Sequence, residues 1–421
     1  MKEAEMLTHL ESELKQELVK DILPYWTRQS VDYKNGGFIG RINHQNQKIF
    51  DADKGVILNY RLLWTFSHCY KRFGGYELKE LATRAYKYVN EYFQDEEQGG
   101  VYWMLDRHGN VIDDRKHIYA QAFAIYALSE YAHAFGVDSA LEQAIEIFRL
   151  IEKHSADRNH SGYFEAFTRD WQLLDDVRLS DKDDNEPKSM NTHLHILEAY
   201  TNLYRYWPAR ELKKRLSAIL DLFLDHIIRP DGTSLVTFMD VDWTPKSEVI
   251  SYGHDIEASW LLTEAADLLG DYNRHVRLHE LAIKMARAVQ QGGIDEDGGM
   301  FNDGGPDGLI DDFKDWWPQA EAIVGFLNAY QLTGEVSFLK SAVKSLEFIQ
   351  NYMLDTDFGE WYEKISREGK PCIEDKIRPW KGPYHNARAC MEVMHRVESM
   401  RLNEKSDNAT KMDEPSHNTL E

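Results

Sequence analysis

The chain has 421 residues, 43 % apolar and 12 % aromatic, enough for a large core and too many for a disordered polymer. Its formal net charge of −22 repels polyanions, which excludes nucleic acid and anionic membranes as expected partners and favours a neutral small molecule. Cys69, Cys372 and Cys390 lack metal-ligand spacing, no apolar leader follows Met1 and no apolar run reaches membrane-spanning length, so a soluble cytoplasmic chain, monomeric or weakly homo-oligomeric, is expected.

At the start, residues 3–22 pattern as a helix with no preceding partner. A turn element, Gly36-Gly37-Phe38-Ile39, then recurs as Gly99-Gly100-Val101-Tyr102-Trp103 and Ser161-Gly162-Tyr163-Phe164, with looser copies at 232–236, 298–301 and 358–362. From Gly37 through Gly100, Gly162, Gly232 and Gly299 to Gly359 the steps are 63, 62, 70, 67 and 60 residues, so one unit is repeated six times. Each copy reads as a turn leading into a short β-hairpin arm.

Between successive copies there is room for two helices of different character. Residues 119–135 are apolar nearly all round, whereas the next stretch gathers Leu141, Ala144, Ile145, Phe148 and Ile151 on one face. The same alternation recurs at 191–206 and 211–228, and at 320–333 and 336–353. The acidic stretch 175–188 interrupts the third unit and is expected as a surface loop over one mouth. A last buried helix at 384–402 has no follower, so it is expected to pair with the N-terminal helix and close the ring. The reading is an all-α, six-hairpin barrel of one inner and one outer helical ring over 1–402, with a polar, disordered tail over 403–421.

Polar residues that interrupt the inner helices point to the chemistry. Arg61, Tyr119, His195, His254, Trp317 and His385 follow their repeat glycines by 24, 19, 33, 22, 18 and 26 residues, which puts one distinctive side chain per unit near one mouth. His193 and His195 lie two apart and face different directions on a helix, so a metal site is not expected. Glu257, three residues after His254, shares its face and is expected to orient it. The loop at 378–385 would offer Trp380 to a sugar face while His385 reaches the reacting carbon.

Abstraction of a proton beside a carbonyl needs a base of near-neutral pKa, and the resulting enediolate needs a cationic partner such as Arg61. His254 and His385, on opposite helices, would serve the two faces of the carbon. A glycoside hydrolase would instead use two carboxylates, for which Asp255, Glu257 and Asp315 are available, but three histidines would then stand idle. A non-catalytic sugar-binding protein is the third reading.

Five segments in register over residues 5–400 carry a resemblance. They are Arg-Leu-Leu-Trp-Thr-Phe-Ser (61–67), Met-Asn-Thr-His-Leu-His-Ile-Leu-Glu-Ala-Tyr (190–200), Gly-His-Asp-Ile-Glu-Ala-Ser-Trp (253–260), Asp-Trp-Trp-Pro-Gln-Ala-Glu-Ala (315–322) and Trp-Lys-Gly-Pro-Tyr-His (380–385). Together they resemble the cellobiose 2-epimerases of the N-acylglucosamine 2-epimerase superfamily. The resemblance implies an (α/α)6 barrel that needs no metal or cofactor and epimerises the reducing-end glucose of a β-1,4-linked disaccharide. It implies His254 and His385 as the acid–base pair, with Arg61 and His195 holding substrate oxygens. Trp316, Trp317 and Trp380 would bind the sugars, with Tyr119, Asn191 and Glu257 around them. Epimerases of free glucose and mannose share most of these motifs, and aldose–ketose isomerisation could use the same residues.

Overall fold

The structure is a computed structural model in which the backbone is described for residues 1–412 and side chains for residues 1–403. The chain begins with α1 (Glu3–Glu17), a π-helical turn at Leu18–Ile22 and α2 (Leu23–Gln29). Five helical pairs follow: α3 (Val56–Phe73) with α4 (Tyr76–Tyr88), α5 (Ile118–Phe135) with α6 (Asp138–His154), α7 (Met190–Tyr206) with α8 (Arg210–Leu222), α9 (Tyr252–Leu269) with α10 (Tyr272–Gly292), and α11 (Trp316–Thr333) with α12 (Val336–Phe348). The final helix is α13 (Tyr384–Met412).

Packing divides these helices into two rings. Among the described residues α3, α5, α7, α9, α11 and α13 touch in that order and α13 returns to α3, while each outer helix backs its inner neighbour and α1 backs α13. The fold is an (α/α)6 barrel, closed as the sequence suggested. Inner helices lie between neighbours on both sides, hence every residue of α5 from Ile118 to Ala132 is buried. Outer helices bury one stripe; on α8 these are Leu212, Leu216, Ile219, Leu220 and Leu222. Four outer helices run into a five-residue π turn, at Leu18–Ile22, Val89–Phe93, Phe223–Ile227 and Ile349–Met353, three of them inside stretches expected as uninterrupted helices, 3–22, 211–228 and 336–353. Helix α13 continues through 403–412, the first part of the expected polar tail, and residues 413–421 lie outside the described residues.

Each repeat element is the turn that brings the chain back from the outer to the inner ring. Gly37, Gly100, Gly162, Gly232 and Gly359 take positive φ of 60° to 78°, a region closed to most side chains, which explains the periodic glycine. A short strand precedes most inner helices and pairs with an arm of the next unit, as Lys54–Gly55 pairs with Met104–Leu105 and Lys116–His117 with Ala166–Phe167. A buried ion pair accompanies this joint: Lys54–Asp32 at 3.0 Å, Lys116–Asp95 at 2.8 Å, Lys188–Asp157 at 2.9 Å, Lys314–Asp295 at 2.7 Å and Lys376–Asp355 at 2.6 Å. The fourth unit departs from the pattern, since Arg229 stands at the aspartate's place and Ile250 at the lysine's. These joints hold the N-terminal ends of all six inner helices at one mouth.

Candidate active site

A cavity of about 350 Å³ opens at that mouth. Its wall contains Arg61, Tyr119, Asn191, His195, His254, Glu257, Trp316, Trp317, Trp380 and His385, so all ten residues singled out in the sequence meet in one place. They sit in the first two turns of α3, α5, α7, α9, α11 and α13 or in the loop before α13. The convergent helix N-termini direct their partial positive charge toward the cavity, which favours any negative charge that develops there. The acidic stretch contributes Leu179, Ser180, Lys182 and Asp183 to the wall and lies over the mouth. Two further spaces continue the cavity, one past Trp103, Arg115 and Arg178, the other past Asn302, Asp303 and Asp311.

Three histidines form the polar centre. His195 Nδ1 lies 2.9 Å from Glu198 Oε2 and His385 Nδ1 lies 2.8 Å from Glu321 Oε1. Burial pushes the Glu198 carboxyl up, but Arg388 and His195 outweigh it and bring it down to about 2; Glu321 is lowered in the same way by Arg388 and His385. An ionised carboxylate only accepts, so each of these imidazoles carries its proton on Nδ1 and leaves the Nε2 lone pair for the cavity. His254 Nδ1 instead meets Ser251 Oγ at 2.9 Å. Burial lowers His254 to about 3, helped by His195 and His385, and lowers His385 to about 3 against the pull of Glu321. All three are neutral at pH 7, as His195 is lowered by burial too.

The expected pairing of Glu257 with His254 is corrected. Glu257 shares the face of His254 but lies one turn deeper, where it binds Arg388 Nη2 at 2.5 Å; Ser251 takes the orienting role. A guanidinium is a stronger hydrogen-bond donor to a carboxyl oxygen than a neutral imidazole is. Burial, with Glu321 adding to it, raises Glu257 to about 8, so the side chain is largely protonated at neutral pH. Its Oε2 has no partner, and the same holds for Asn191 Oδ1, Arg61 Nε and Trp316 Nε1, all buried beside the cavity. Polar atoms left open in this way suit a polyhydroxylated ligand.

Arg61 is held rigidly, donating from Nη1 to the Trp380 carbonyl at 2.8 Å and from Nη2 to Tyr119 Oη at 2.9 Å. The Trp317 ring touches both His254 and His385, with centroids 4.7 and 5.5 Å apart. Trp380 lies 6.0 Å from Tyr119 and 5.8 Å from Trp103. His193 faces away from the cavity, bonding Ser189 O at 2.7 Å and Tyr163 N at 3.0 Å. Asp255 does the same in the next unit through Leu235 N at 2.9 Å, so it is no candidate nucleophile. Glu257, Glu321 and His385 bring ligand atoms within 4.8 Å of one another, but Arg388 already occupies both carboxylates, an arrangement that repels a metal cation. Sequence reasoning missed Glu198, Glu321, Arg388 and Ser251. Glu198 and Arg388 stand three residues after His195 and His385, the spacing that had drawn attention to Glu257.

This sequence and fold match a family of isomerases. The family model described as N-acylglucosamine 2-epimerase matches residues 37–389, and the chain belongs to that family of carbohydrate epimerases. A cellobiose 2-epimerase from Bacteroides fragilis is 46 % identical over 91 % of this chain and 98 % of its own length. One from Ruminococcus albus is 42 % identical over 91 % of this chain and 98 % of its own. The solved cellobiose 2-epimerase from Bacillus thermoamylovorans superposes with a TM-score of 0.89 at 38 % identity, covering 92 % of this chain and all of that one. No helix among the described residues is long and apolar enough to cross a membrane.

Proposed function

We propose that this chain interconverts the reducing-end glucose and mannose of β-1,4-linked disaccharides such as cellobiose and lactose. The relatives just named support the substrate class. The observation that carries the reaction is the pair of neutral histidines, His254 and His385, both against the Trp317 ring and within one cavity with Arg61 and His195.

In this reading the sugar first opens. Two neutral histidines hold no proton to return, so one must be charged by the substrate: it takes the anomeric hydroxyl proton, while Glu257, as a carboxylic acid, protonates the ring oxygen. The other histidine then removes the C2 proton. Arg61 and the helix N-termini stabilise the cis-enediolate, and His195 holds its oxygens. Rotation about C2–C3 presents the opposite face, and the charged histidine delivers its proton to C2. Return to C1 would give a ketose, so whether C1 or C2 of the enediolate meets the acid decides between isomer and epimer.

Incubation with cellobiose in deuterated water should place deuterium at C2 of the glucosyl-mannose product, read by NMR. Product free of solvent deuterium would exclude proton abstraction. Glucose, mannose and lactose in parallel assays identify the length of sugar preferred.

The pH profile follows from the same groups. A base lowered to about 3 is competent at every higher pH, and an acid raised to about 8 is lost only above that value. The kcat/KM profile is therefore expected to stay level from about pH 5 to about pH 8, with the acid limb well below the ordinary histidine range. A limb near pH 6.5 would show that the histidines titrate as exposed ones do.

A further inference from the structure

Below the cavity floor a single guanidinium gathers three helices. Arg388 of α13 binds Glu198 of α7 and Tyr384 through Nη1, and Glu257 of α9 and Glu321 of α11 through Nη2, the last at 2.7 Å. Its ring neighbours are Trp260 at 4.8 Å and Tyr384 at 4.4 Å, and it is buried. Two of its three carboxylates are the ones that hold Nδ1 of His195 and His385. Glu321 is further fixed by Trp260 Nε1 at 3.0 Å.

The ionised Glu198 and Glu321 repel one another and, with burial, keep Glu257 beside them protonated; without the cation they too would separate or take up protons. A protonated Glu321 or Glu198 could donate to Nδ1 and so turn the imidazole over to its other tautomer, with the proton on the nitrogen that must act as base. A guanidinium is suited to this place because its planar fork serves several oxygens at once, which a lysine ammonium on one flexible stem does not.

We propose that Arg388 is a positioning residue for the epimerisation: by clamping Glu198 and Glu321 it fixes the Nδ1–H tautomer and the aim of both His195 and His385. The inference rests on the function proposed above. It places control of two histidines on opposite sides of the ring in one buried side chain that does not line the cavity.

The test compares wild type, Arg388→Met and Arg388→Lys on cellobiose, with C2 deuterium exchange and full pH profiles. Around His385 the charged or titratable groups are Glu321, Arg388, Glu257, Arg61, Glu198, His195, His254 and Tyr384. With methionine, a positive neighbour that lowers both His195 and His385 is lost, which raises the histidine pKa. The acid limb is expected to move up by about one pH unit or more, and kcat to fall roughly 10²-fold with KM within about 3-fold. Arg388→Lys should bring the limb back while recovering only part of kcat. A folded Arg388→Met enzyme whose rate falls equally at all pH values, or whose limb stays in place, overturns the inference. If neither variant folds, Glu321→Gln decides: a roughly 10²-fold loss of kcat at unchanged KM supports the clamp, and wild-type kcat overturns it. A wild type with no C2 exchange on cellobiose would instead remove the proposed function.

Discussion

Alanine at His254 or at His385 is expected to lower kcat for cellobiose epimerisation by about 10³-fold or more, a positioned acid–base group being worth roughly 10²–10⁴. Both steps are needed for inversion, so the double variant should be little worse than either single one. The separation of roles has a sharper signature. Each variant keeps one base and, on sugar whose ring opens without the missing histidine, should slowly exchange the C2 proton of the epimer facing that base without inverting it, and the two variants should do so with opposite epimers. NMR of glucosyl-glucose and glucosyl-mannose incubated separately in deuterated water reads both effects. Interconversion at the wild-type rate in either variant would dismiss the two-base scheme. The fold should survive, because Glu321 keeps Arg388 and Trp260 when His385 is removed, and His254 makes its side-chain hydrogen bond to Ser251.

Gly253→Ala should have the second largest effect, through Trp317. A β-carbon at Gly253 would stand 2.5 Å from Trp317 Cη2, 2.8 Å from Cζ3 and 3.0 Å from Pro318 Cγ. The indole rests directly on the α9 backbone and cannot recede, because Pro318 beside it is buried in the first turn of α11. Overpacking of this kind costs about 1–3 kcal/mol. Displacement of a ring that touches both His254 and His385, the proposed proton-transfer pair, should lower kcat/KM by about 10²-fold. Thermal melting and initial rates check the two parts. An unchanged rate would mean that the indole does not align the histidines or the sugar.

Much of this was legible before the structure because the chain writes the same unit six times. The glycine period counts the hairpins, the contrast between all-round apolar and one-sided helices separates the rings, and offsets of 18 to 26 residues from the repeat glycines bring Arg61, Tyr119, His254, Trp317 and His385 to one mouth. His195 kept its place despite the acidic insertion before it. What stayed hidden is what depends on contacts across the ring. Glu198, Glu257, Glu321 and Arg388 each look like a polar residue one turn into a buried helix. Which of them pair is decided by how α7, α9, α11 and α13 face one another, and that relation has no local trace. Glu257 was therefore given the nearest partner in sequence, whereas charge and burial gave it Arg388. The aspartate–lysine joints are a different case: Asp32, Asp95 and Asp157 precede their repeat glycines by the same interval, a periodicity open to reading in the sequence.

Ring closure has a consequence for how the enzyme comes into being. Five of the six helical pairs join neighbours in sequence and can form as the chain emerges, but the pair of α1 with α13 joins residues as distant as Glu11 and Arg401, 390 positions apart. His385 and Arg388 both lie on α13, the helix that leaves the ribosome after the other five inner helices. A nascent chain therefore carries His195 and His254 on an open crescent without the proposed second base or the cation proposed to set the histidine tautomers. Catalytic competence arrives in one late event, when the final helix docks between α3 and α11.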